Sequence, residues 1–261
     1  MKDFSLLGVQ QAKRVKYVLH DIDDTITDEG KLLSIAYDAL WRLHEAGIKV
    51  IPVTGRPAGW CDMMIRQWPI DCIIGENGAF VYYFEDGLRK TFTHPLAATD
   101  VRSKLACVRD ACLSNVPGCR VAKDQFSRIY DLAIDFNEDE PRLGFEAAEK
   151  IKNICTSMGA MAKISSIHVN AWFGDYDKLS MTELFFSQVL KETALKQTIL
   201  FFGDSPNDEP MFAYFPLSCG VANIRAFGNT IVHFPTFVTK QQAGRGFAEA
   251  VDQLLKLLSA S

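Results

Sequence analysis

Long apolar runs and clusters of basic residues are both missing from this sequence. None of the 261 residues lies in an uninterrupted apolar run that approaches the roughly 18 residues of a membrane-spanning helix. The first residues, MKDFSLLGVQQAKR, contain no apolar stretch of the length found in secretion signals. No Lys/Arg-rich run of the kind that binds nucleic acid or anionic lipid is present, and the net charge is -4. We therefore expect a cytoplasmic protein that binds neither nucleic acid nor membranes.

Paired cysteine motifs are missing as well. The seven cysteines are scattered, and no CxxC pair or histidine accompanies Cys107, Cys112 and Cys119 at zinc-site spacing. This usage predicts reduced, mostly buried thiols. With 48% hydrophobic and 23% charged residues, the chain has enough apolar side chains to bury a core.

The first third of the chain alternates between strand-like and helix-like patterns. An apolar run at residues 15–20 ends abruptly in DIDDT, which is typical of a buried strand with acids at its carboxyl end. Residues 34–46 predict a helix with Ile35, Leu40 and Leu43 among its apolar positions and with Gly47 ending it. A second strand, residues 48–53, follows and ends in TGRP. Strand, helix and strand at this spacing predict a parallel sheet.

The middle of the chain has a different pattern. Residues 79–93 contain two extended runs joined by Glu85-Asp86-Gly87, which predicts a hairpin. Further strands at 128–136 and 163–173 and a helix at 141–158 predict an antiparallel α+β module.

After residue 178 the strand and helix alternation returns. The segment TILFFGDSPND repeats the pattern of a strand that ends in acids, and SCGVAN and TIVHF predict two more short strands. The fold class that follows is α/β: a Rossmann-like parallel sheet core with an inserted α+β cap domain. We assign residues 1–82 and 171–261 to the core and residues 83–170 to the cap.

Polar side chains that can take part in catalysis or metal binding follow three of the predicted strands. Asp21 and Asp23 follow the first, Thr54 follows the second, and Asp204 and Asp208 follow the late strand. Ligands of open parallel sheets bind at the carboxyl ends of strands, so we expect these side chains to meet. Four carboxylates packed together repel one another unless a cation is present, and Mg²⁺ suits an all-oxygen, partly hydrated site. Carboxylates, a hydroxyl, a lysine and Mg²⁺ together suit phosphoryl transfer.

These segments resemble the four motifs of the haloacid dehalogenase superfamily of phosphohydrolases. DIDDT is similar to the first motif, Thr54 in VTGRP to the second, Lys178 in GDYDKLSM to the third, and GDSPND to the fourth. The insertion lies between the second and third motifs and follows GENGA at residues 75–79. That placement resembles the large-cap, Cof-type branch, which includes sugar-phosphate phosphatases and phosphomannomutases. Asp24 is a departure, because glycine is more frequent there in this branch.

The resemblance implies a catalytic role for each motif residue. Asp21 would be the nucleophile that becomes an aspartyl phosphate. Asp23 would protonate the leaving alcohol and then activate water. Thr54 would donate a hydrogen bond to a phosphoryl oxygen, and Lys178 would neutralise charge on the nucleophile and on the phosphoryl group.

The resemblance also implies the metal and substrate ligands. Mg²⁺ would be held by the Asp21 carboxylate, the Asp23 backbone carbonyl and Asp204, with Asp208 orienting a metal-bound water. The predicted substrate-binding residues are Gly55, Arg56, Lys178 and Asn207. Arg56 has an alternative interpretation, because an arginine after a strand end also pairs with neighbouring acids.

Several cap residues are weaker candidates. His168 and Asn170 lie on a predicted strand and either face the active-site cleft or belong to an ordinary half-buried strand. Lys123, Gln125 and Arg128 lie between predicted elements and either recognise polar groups of a substrate or form a solvated loop.

The sequence therefore predicts an Mg²⁺-dependent phosphomonoesterase that acts on a small phosphorylated metabolite, a sugar phosphate, through an aspartyl phosphate. A sugar phosphomutase of the same superfamily is the alternative, because the catalytic motifs do not separate the two reactions. A signalling receiver domain is excluded, since its accepting aspartate would stand where this chain has Thr54. The sequence leaves the oligomeric state open.

Overall fold

The computed structural model describes residues 1–97, 100–228 and 230–259. The strands are β1 (Lys2–Asp3), β2 (Tyr17–His20), β3 (Thr27–Asp28), β4 (Lys31–Leu32), β5 (Lys49–Pro52), β6 (Cys72–Gly75), β7 (Phe80–Glu85), β8 (Leu88–Thr93), β9 (Arg120–Val121), β10 (Asp131–Asp135), β11 (Met161–Ile164), β12 (His168–Trp172), β13 (Ile199–Gly203), β14 (Ser218–Gly220) and β15 (Phe237–Val238). The helices are α1 (Val9–Ala12), α2 (Ser34–Glu45), α3 (Ala58–Gln67), α4 (Arg102–Asn115), α5 (Gly144–Ser157), α6 (Lys178–Phe185), α7 (Leu195–Thr198), α8 (Glu209–Tyr214) and α9 (Ala243–Ser259).

The core is a six-stranded sheet in the order β1-β15-β14-β13-β2-β5. Every neighbouring pair in it is parallel, which confirms the predicted α/β class. In β13 all five residues are buried, because apolar clusters cover both faces of the sheet. His20 of β2 pairs in register with Phe202 of β13 and with Pro52 of β5. The loops that follow these three strands therefore leave the sheet at one edge.

Helix α2 shows how the periodicity and the packing agree, with one exception. Ala36, Leu40 and Leu43 are fully buried, at spacings that place them on one helix face. Ile35 was predicted among the apolar positions, but it is 42% exposed because it lies off that face. Gly47, with φ of 77°, ends the helix as predicted.

A three-stranded antiparallel sheet, β6-β7-β8, adjoins the core. Asp86 and Gly87 both have positive φ, which is the backbone of a tight hairpin turn, so the predicted hairpin is confirmed. The rings of Tyr83 and Phe92 both pack against Phe185 of α6. These hairpin residues thus pack with the core, although the sequence placed the start of the cap at residue 83. The proposed domain limits stay a prediction.

A second antiparallel sheet, in the order β11-β12-β10-β9, forms the cap together with α4 and α5. We use the word cap for residues 102–172. One face of this sheet packs on the helices through buried residues such as Ile134 and Val169. The other face carries His168, Asn170 and Asp131 toward the loops at the edge of the core sheet.

One predicted strand is wrong. TIVHF was expected to be extended, but the last strand of the sheet is β15, which follows it. The backbone N–H groups of Val232 and His233 donate to the Glu209 carboxylate instead of joining a ladder. A side chain therefore takes the donors that a strand would have used.

The cysteines and the helices bear on the expectations drawn from composition. All seven cysteines are free, and all except Cys107 are buried, which confirms the predicted thiol state. Within the described residues, no helix is long and apolar enough to cross a membrane. A cytoplasmic location stays a prediction.

Candidate active site

The first acidic motif forms a turn directly after β2. The backbone N–H of Asp21 donates to the carbonyl of Phe202 at 2.9 Å, so Asp21 extends the pairing of β2 with β13. The N–H groups of Thr25 and Ile26 then donate to the carbonyl of Ile22, and Asp24 takes a positive φ of 56°. Position 24, where this branch more often has glycine, is thus in the left-handed region that glycine adopts most readily.

Lys178 joins the first and last acidic motifs. It is the first residue of α6, and the preceding Asp177 caps that helix by accepting from the N–H of Ser180. The Lys178 ammonium donates to Asp21 and to Asp208, both at 2.8 Å, and is 4% exposed. Burial alone would lower the pKa of Lys178, but the charges of Asp208 and Asp21 outweigh it and raise the pKa. The lysine therefore remains an ammonium.

Asp21, Asp204 and Asp208 form a cluster of buried carboxylates. Each offers one oxygen, and the three oxygens lie within 4.8 Å of one another. Burial, together with Asp208 and Asp23, raises the pKa of Asp21 to about 7 against the lowering effect of Lys178. Burial and the charges of Asp208 and Asp21 raise the pKa of Asp204 well above its usual range. One ammonium among three carboxylates leaves uncompensated negative charge, so the oxygen donors fit a divalent cation such as Mg²⁺.

The second motif lies at the end of β5, beside the acidic cluster. Thr54 is fully buried, and its hydroxyl oxygen accepts from the N–H of Arg56 at 3.0 Å. A Cβ at Gly55 would lie 3.2 Å from the side chain of Asn77 and 3.4 Å from that of Asn170. The glycine thus allows the cap strand β12 to approach the loop closely.

Arg56 pairs with three carboxylates. Its Nη2 lies 2.7 Å from Asp23 Oδ1 and its Nε lies 2.9 Å from Asp23 Oδ2, a two-pronged contact. From the cap, Glu138 lies at 3.3 Å and Asp124 at 3.5 Å. In the structure Arg56 therefore pairs with neighbouring acids, which is the alternative interpretation of this residue. A contact of Arg56 with substrate stays a prediction.

Arg128 is a second arginine at the contact between cap and core, and its side chain is completely buried. It donates to Asp131 at 3.0 Å, to Asp124 at 3.2 Å, and to the backbone carbonyl of Gly55 at 2.8 Å. Asp124 therefore contacts both Arg128 and Arg56. The sequence alone places Arg128 among loop residues, because it contains no local signal of the contact between Arg128 and the core loop.

The other cap candidates divide between the site and the surface. His168 and Asn170 line the cavity at Asp21, and His168 lies 2.8 Å from Glu138. The alternation of His168, Asn170 and Trp172 on one strand was the signal that could have placed them there. In contrast, the Lys123 side chain is 84% exposed.

Gln125 is used within the cap. Its side chain donates to the carbonyl of Asp131 and accepts from the N–H of Ala133. These two contacts fix the segment before β10, so Gln125 has a structural role in the described contacts.

Glu76 was not predicted at all. Its buried carboxylate accepts backbone N–H groups from Ala58 at 3.0 Å, Ile129 at 2.9 Å and Tyr130 at 2.6 Å. These bonds join α3 to the segment that leads into β10. A glutamate in a glycine-containing turn gives no sequence signal of partners more than fifty residues away.

The cavity at the acidic cluster is small and enclosed. Its volume is about 10 Å³, and Asp21, Asp23, Arg56 and His168 are among its lining residues. Such a volume holds about one water molecule. Asn207 completes one wall, and its side-chain oxygen accepts from the Ser205 hydroxyl at 2.8 Å.

Comparisons with known proteins agree with this architecture. Residues 18–116 match the sequence profile of the haloacid dehalogenase-like hydrolase family. No curated protein sequence matches the chain. Among solved structures, a HAD/COF-like Plasmodium vivax protein has 18% identity and a TM-score of 0.70, with 96% of this chain and 100% of that one covered.

Two solved phosphatases also share the fold. The C-terminal domain of Candida albicans trehalose-6-phosphate phosphatase has 14% identity and a TM-score of 0.71, covering 95% of this chain and 96% of that one. A subclass IIB sugar phosphatase has 14% identity and a TM-score of 0.63, covering 93% and 99%. At these identities the likeness shows the fold. The chain is therefore similar in sequence to haloacid dehalogenase-like hydrolases over residues 18–116, and it shares the fold of these solved structures over nearly its whole length.

Proposed function

We propose that the protein is an Mg²⁺-dependent phosphomonoesterase that hydrolyses a small phosphorylated metabolite, a sugar phosphate, through an aspartyl phosphate on Asp21. The observation that carries this proposal is the Lys178 ammonium, bonded to Asp21 and Asp208 within a buried carboxylate cluster. Such an arrangement places positive and negative charge together, as the binding of a phosphoryl group and its counter-ion requires. The solved relatives named as sugar phosphatases support the substrate class.

The residues at the cluster fit a metal. The Asp21 carboxylate, the Asp23 backbone carbonyl and Asp204 would hold Mg²⁺, and Asp208 would orient a bound water. When bound, the ion supplies positive charge for the phosphoryl oxygens. Asp208 is already fixed, because its Oδ2 accepts from the N–H of Asp204 at 3.1 Å while its Oδ1 accepts from Lys178.

The first half of the reaction uses Asp21 and Asp23. A carboxylate oxygen of Asp21 forms a bond to phosphorus as the bond from phosphorus to the ester oxygen breaks. Asp23 gives its proton to the leaving alcohol. Thr54 donates to a phosphoryl oxygen, and Lys178 balances the charge transferred from Asp21.

The second half returns Asp21 to a carboxylate. Asp23, now ionised, takes a proton from water as the water oxygen attacks phosphorus and the bond to Asp21 breaks. Arg56 holds both carboxylate oxygens of Asp23, so it fixes the orientation of this base. We assign Arg56 a positioning role.

The proposal is tested by phosphate release from a panel of phosphorylated metabolites, with Mg²⁺ and with EDTA. We expect release that depends on the metal and is abolished in Asp21→Asn. A matched control is Asp110→Asn, which changes an exposed aspartate on α4 and leaves release unchanged. Interconversion of sugar phosphates on addition of a bisphosphate, without release, would instead establish the phosphomutase. Metal-independent release, or full activity of Asp21→Asn, would contradict the proposal.

A further inference from the structure

The cavity at Asp21 has no room for a leaving group. Its volume of about 10 Å³ is enclosed by core and cap side chains. A groove of about 570 Å³ runs between cap and core beside it. Sites for small molecules commonly have volumes of about 300 to 1,000 Å³, so the groove has the size of a ligand site. Asn207 lines both spaces, and it is therefore the wall between them.

Two aromatic side chains line the groove. Phe145 from α5 of the cap and Phe227 from the core lie edge to face, with ring centroids 5.5 Å apart. Phe145 is 45% exposed, although it is a large apolar residue at the start of a helix. Ile164 and Pro206 add further apolar surface to the lining. A ligand with an apolar face would cover this surface and gain from its burial.

The inner end of the groove carries an unpaired cation. In β11, Ala162 and Ile164 are buried in the cap cluster, so the alternation places Lys163 on the opposite face. Lys163 lines the groove and also a small cavity that Lys178 and Asn207 border. The Lys163 backbone pairs with Asn170 in the sheet, but within the described residues its side chain has no ion pair or hydrogen bond.

The other charged groups of the groove are already engaged. Lys152 lies 3.7 Å from Glu149, and the Glu209 carboxylate accepts the N–H groups that follow Ile231. Lys163 is thus the groove cation that has charge left for a ligand. A partly buried ammonium without a partner favours an anion.

We infer that this groove binds the leaving group of the substrate, and that this group combines an apolar ring face with a carboxylate or another anion. The ring packs against the apolar surface that Phe145 and Phe227 form together, and the anion pairs with Lys163. This inference rests on the proposed function and narrows its substrate class to phosphate monoesters with an anionic leaving group.

A second depression, of about 400 Å³, touches the site from the other side of Arg128. Arg128 separates it from the acidic cluster, because it is fixed by Asp131, Asp124 and the Gly55 carbonyl. Phe126, which is 90% exposed, lines this depression. It supplies a matched control for the aromatic residues of the groove.

The test measures binding of two non-hydrolysable ligands, benzylphosphonate and 4-(phosphonomethyl)benzoate, by calorimetry with Mg²⁺. We expect Lys163→Gln to weaken binding of the carboxylated ligand about tenfold, the effect of a charge-assisted contact, and to leave benzylphosphonate unchanged. Lys150→Gln, on the exposed side of α5, is the control and changes neither. Phe227→Ala should weaken the binding of both ligands several-fold, whereas Phe126→Ala should change the binding of neither.

Equal effects of Lys163→Gln on the two ligands would overturn the inference, as would a loss caused by Phe126→Ala and not by Phe227→Ala. Hydrolysis of acetyl phosphate, whose leaving group is too small to fill the groove, tests the proposed function separately. We expect wild type and the surface variant Lys150→Gln to release phosphate from it at equal rates, and Asp21→Asn to release none. Binding of the two phosphonates without hydrolysis of acetyl phosphate would refute the proposed phosphatase activity but would leave the inference about the groove intact.

Discussion

Replacing Arg128 by methionine should destabilise the protein strongly, because Arg128 is the buried partner of two cap carboxylates. The substitution keeps much of the side-chain length but leaves the Gly55 carbonyl without this donor. Asp124 keeps Arg56 as a partner, whereas among the described residues Asp131 keeps the Asn170 amide at 2.9 Å and no cation. Breaking a buried pair on one side costs about 3–5 kcal/mol. For a chain of this size, that corresponds to a fall in melting temperature of roughly 6–20 °C.

The destabilisation should also depend on pH. Burial raises the pKa of Asp131, and Arg128 opposes that rise, so removing Arg128 raises the pKa further. A carboxyl group whose pKa is higher in the folded state adds to the free energy of unfolding at pH values below its unfolded pKa, here near 3.8. That contribution is lost as the pH rises through the folded-state pKa. The difference in unfolding free energy between wild type and Arg128→Met should therefore be smaller at about pH 5 than at about pH 8.

Urea unfolding at the two pH values measures this difference. Arg109→Met is the matched control, because Arg109 pairs with Asp110 on the surface, where such pairs contribute about 0–1 kcal/mol. Adding Asp131→Asn to Arg128→Met removes the stranded charge and should recover part of the loss. A cost below about 1 kcal/mol, or the same cost at both pH values, would refute the assigned role of the buried pair.

Three further predictions concern the acidic cluster and its neighbours. Lys178→Met should lower kcat by about 10²–10³, since a charge aimed at the phosphoryl group is lost, and phosphate release measures it; a loss below tenfold would contradict that role. Arg56→Lys should lower kcat with little change in KM, because the two-pronged contact with Asp23 is lost, and a change confined to KM would instead indicate substrate binding. Mg²⁺ should raise the melting temperature of the wild type but not of Asp204→Asn, because ligand binding stabilises the folded state and this oxygen ligand is replaced; an equal rise in both would exclude Asp204 as a ligand.

The arrangement of the candidate active site was predictable because its residues are set by local structure. Asp21, Thr54 and Asp204 each follow a strand, and parallel strands in register place their carboxyl ends at one edge. Lys178 starts a helix whose cap, Asp177, stands next to it in sequence. Each position follows from a strand end or a helix start, and these are features that apolar patterns and capping residues mark.

The contacts between cap and core were not predictable in the same way. Arg56 meets Glu138, 82 positions away, and Glu76 accepts from the backbone of Ile129. These pairs depend on how two separately packed units dock, which no local pattern encodes. The failed strand at TIVHF is also explained by a distant partner, although within the core, since Glu209, more than twenty positions earlier, accepts from its N–H groups.

The composition of this docking surface bears on how the site works. Arg56 of the core loop pairs with Asp124 and Glu138 of the cap, and Arg128 of the cap donates to the Gly55 carbonyl, beside the apolar packing of Tyr130 and Trp172 with the core. Complete pairs of this kind contribute little net free energy compared with apolar packing, because desolvation offsets their attraction, but they fix orientation closely. The pairs of Arg56 with Asp124 and Glu138 therefore fix the guanidinium that holds Asp23 when cap and core meet. A substrate too large for the cavity at Asp21 requires cap and core to separate, and these ion pairs add little to the cost of that separation, because their charged groups regain hydration.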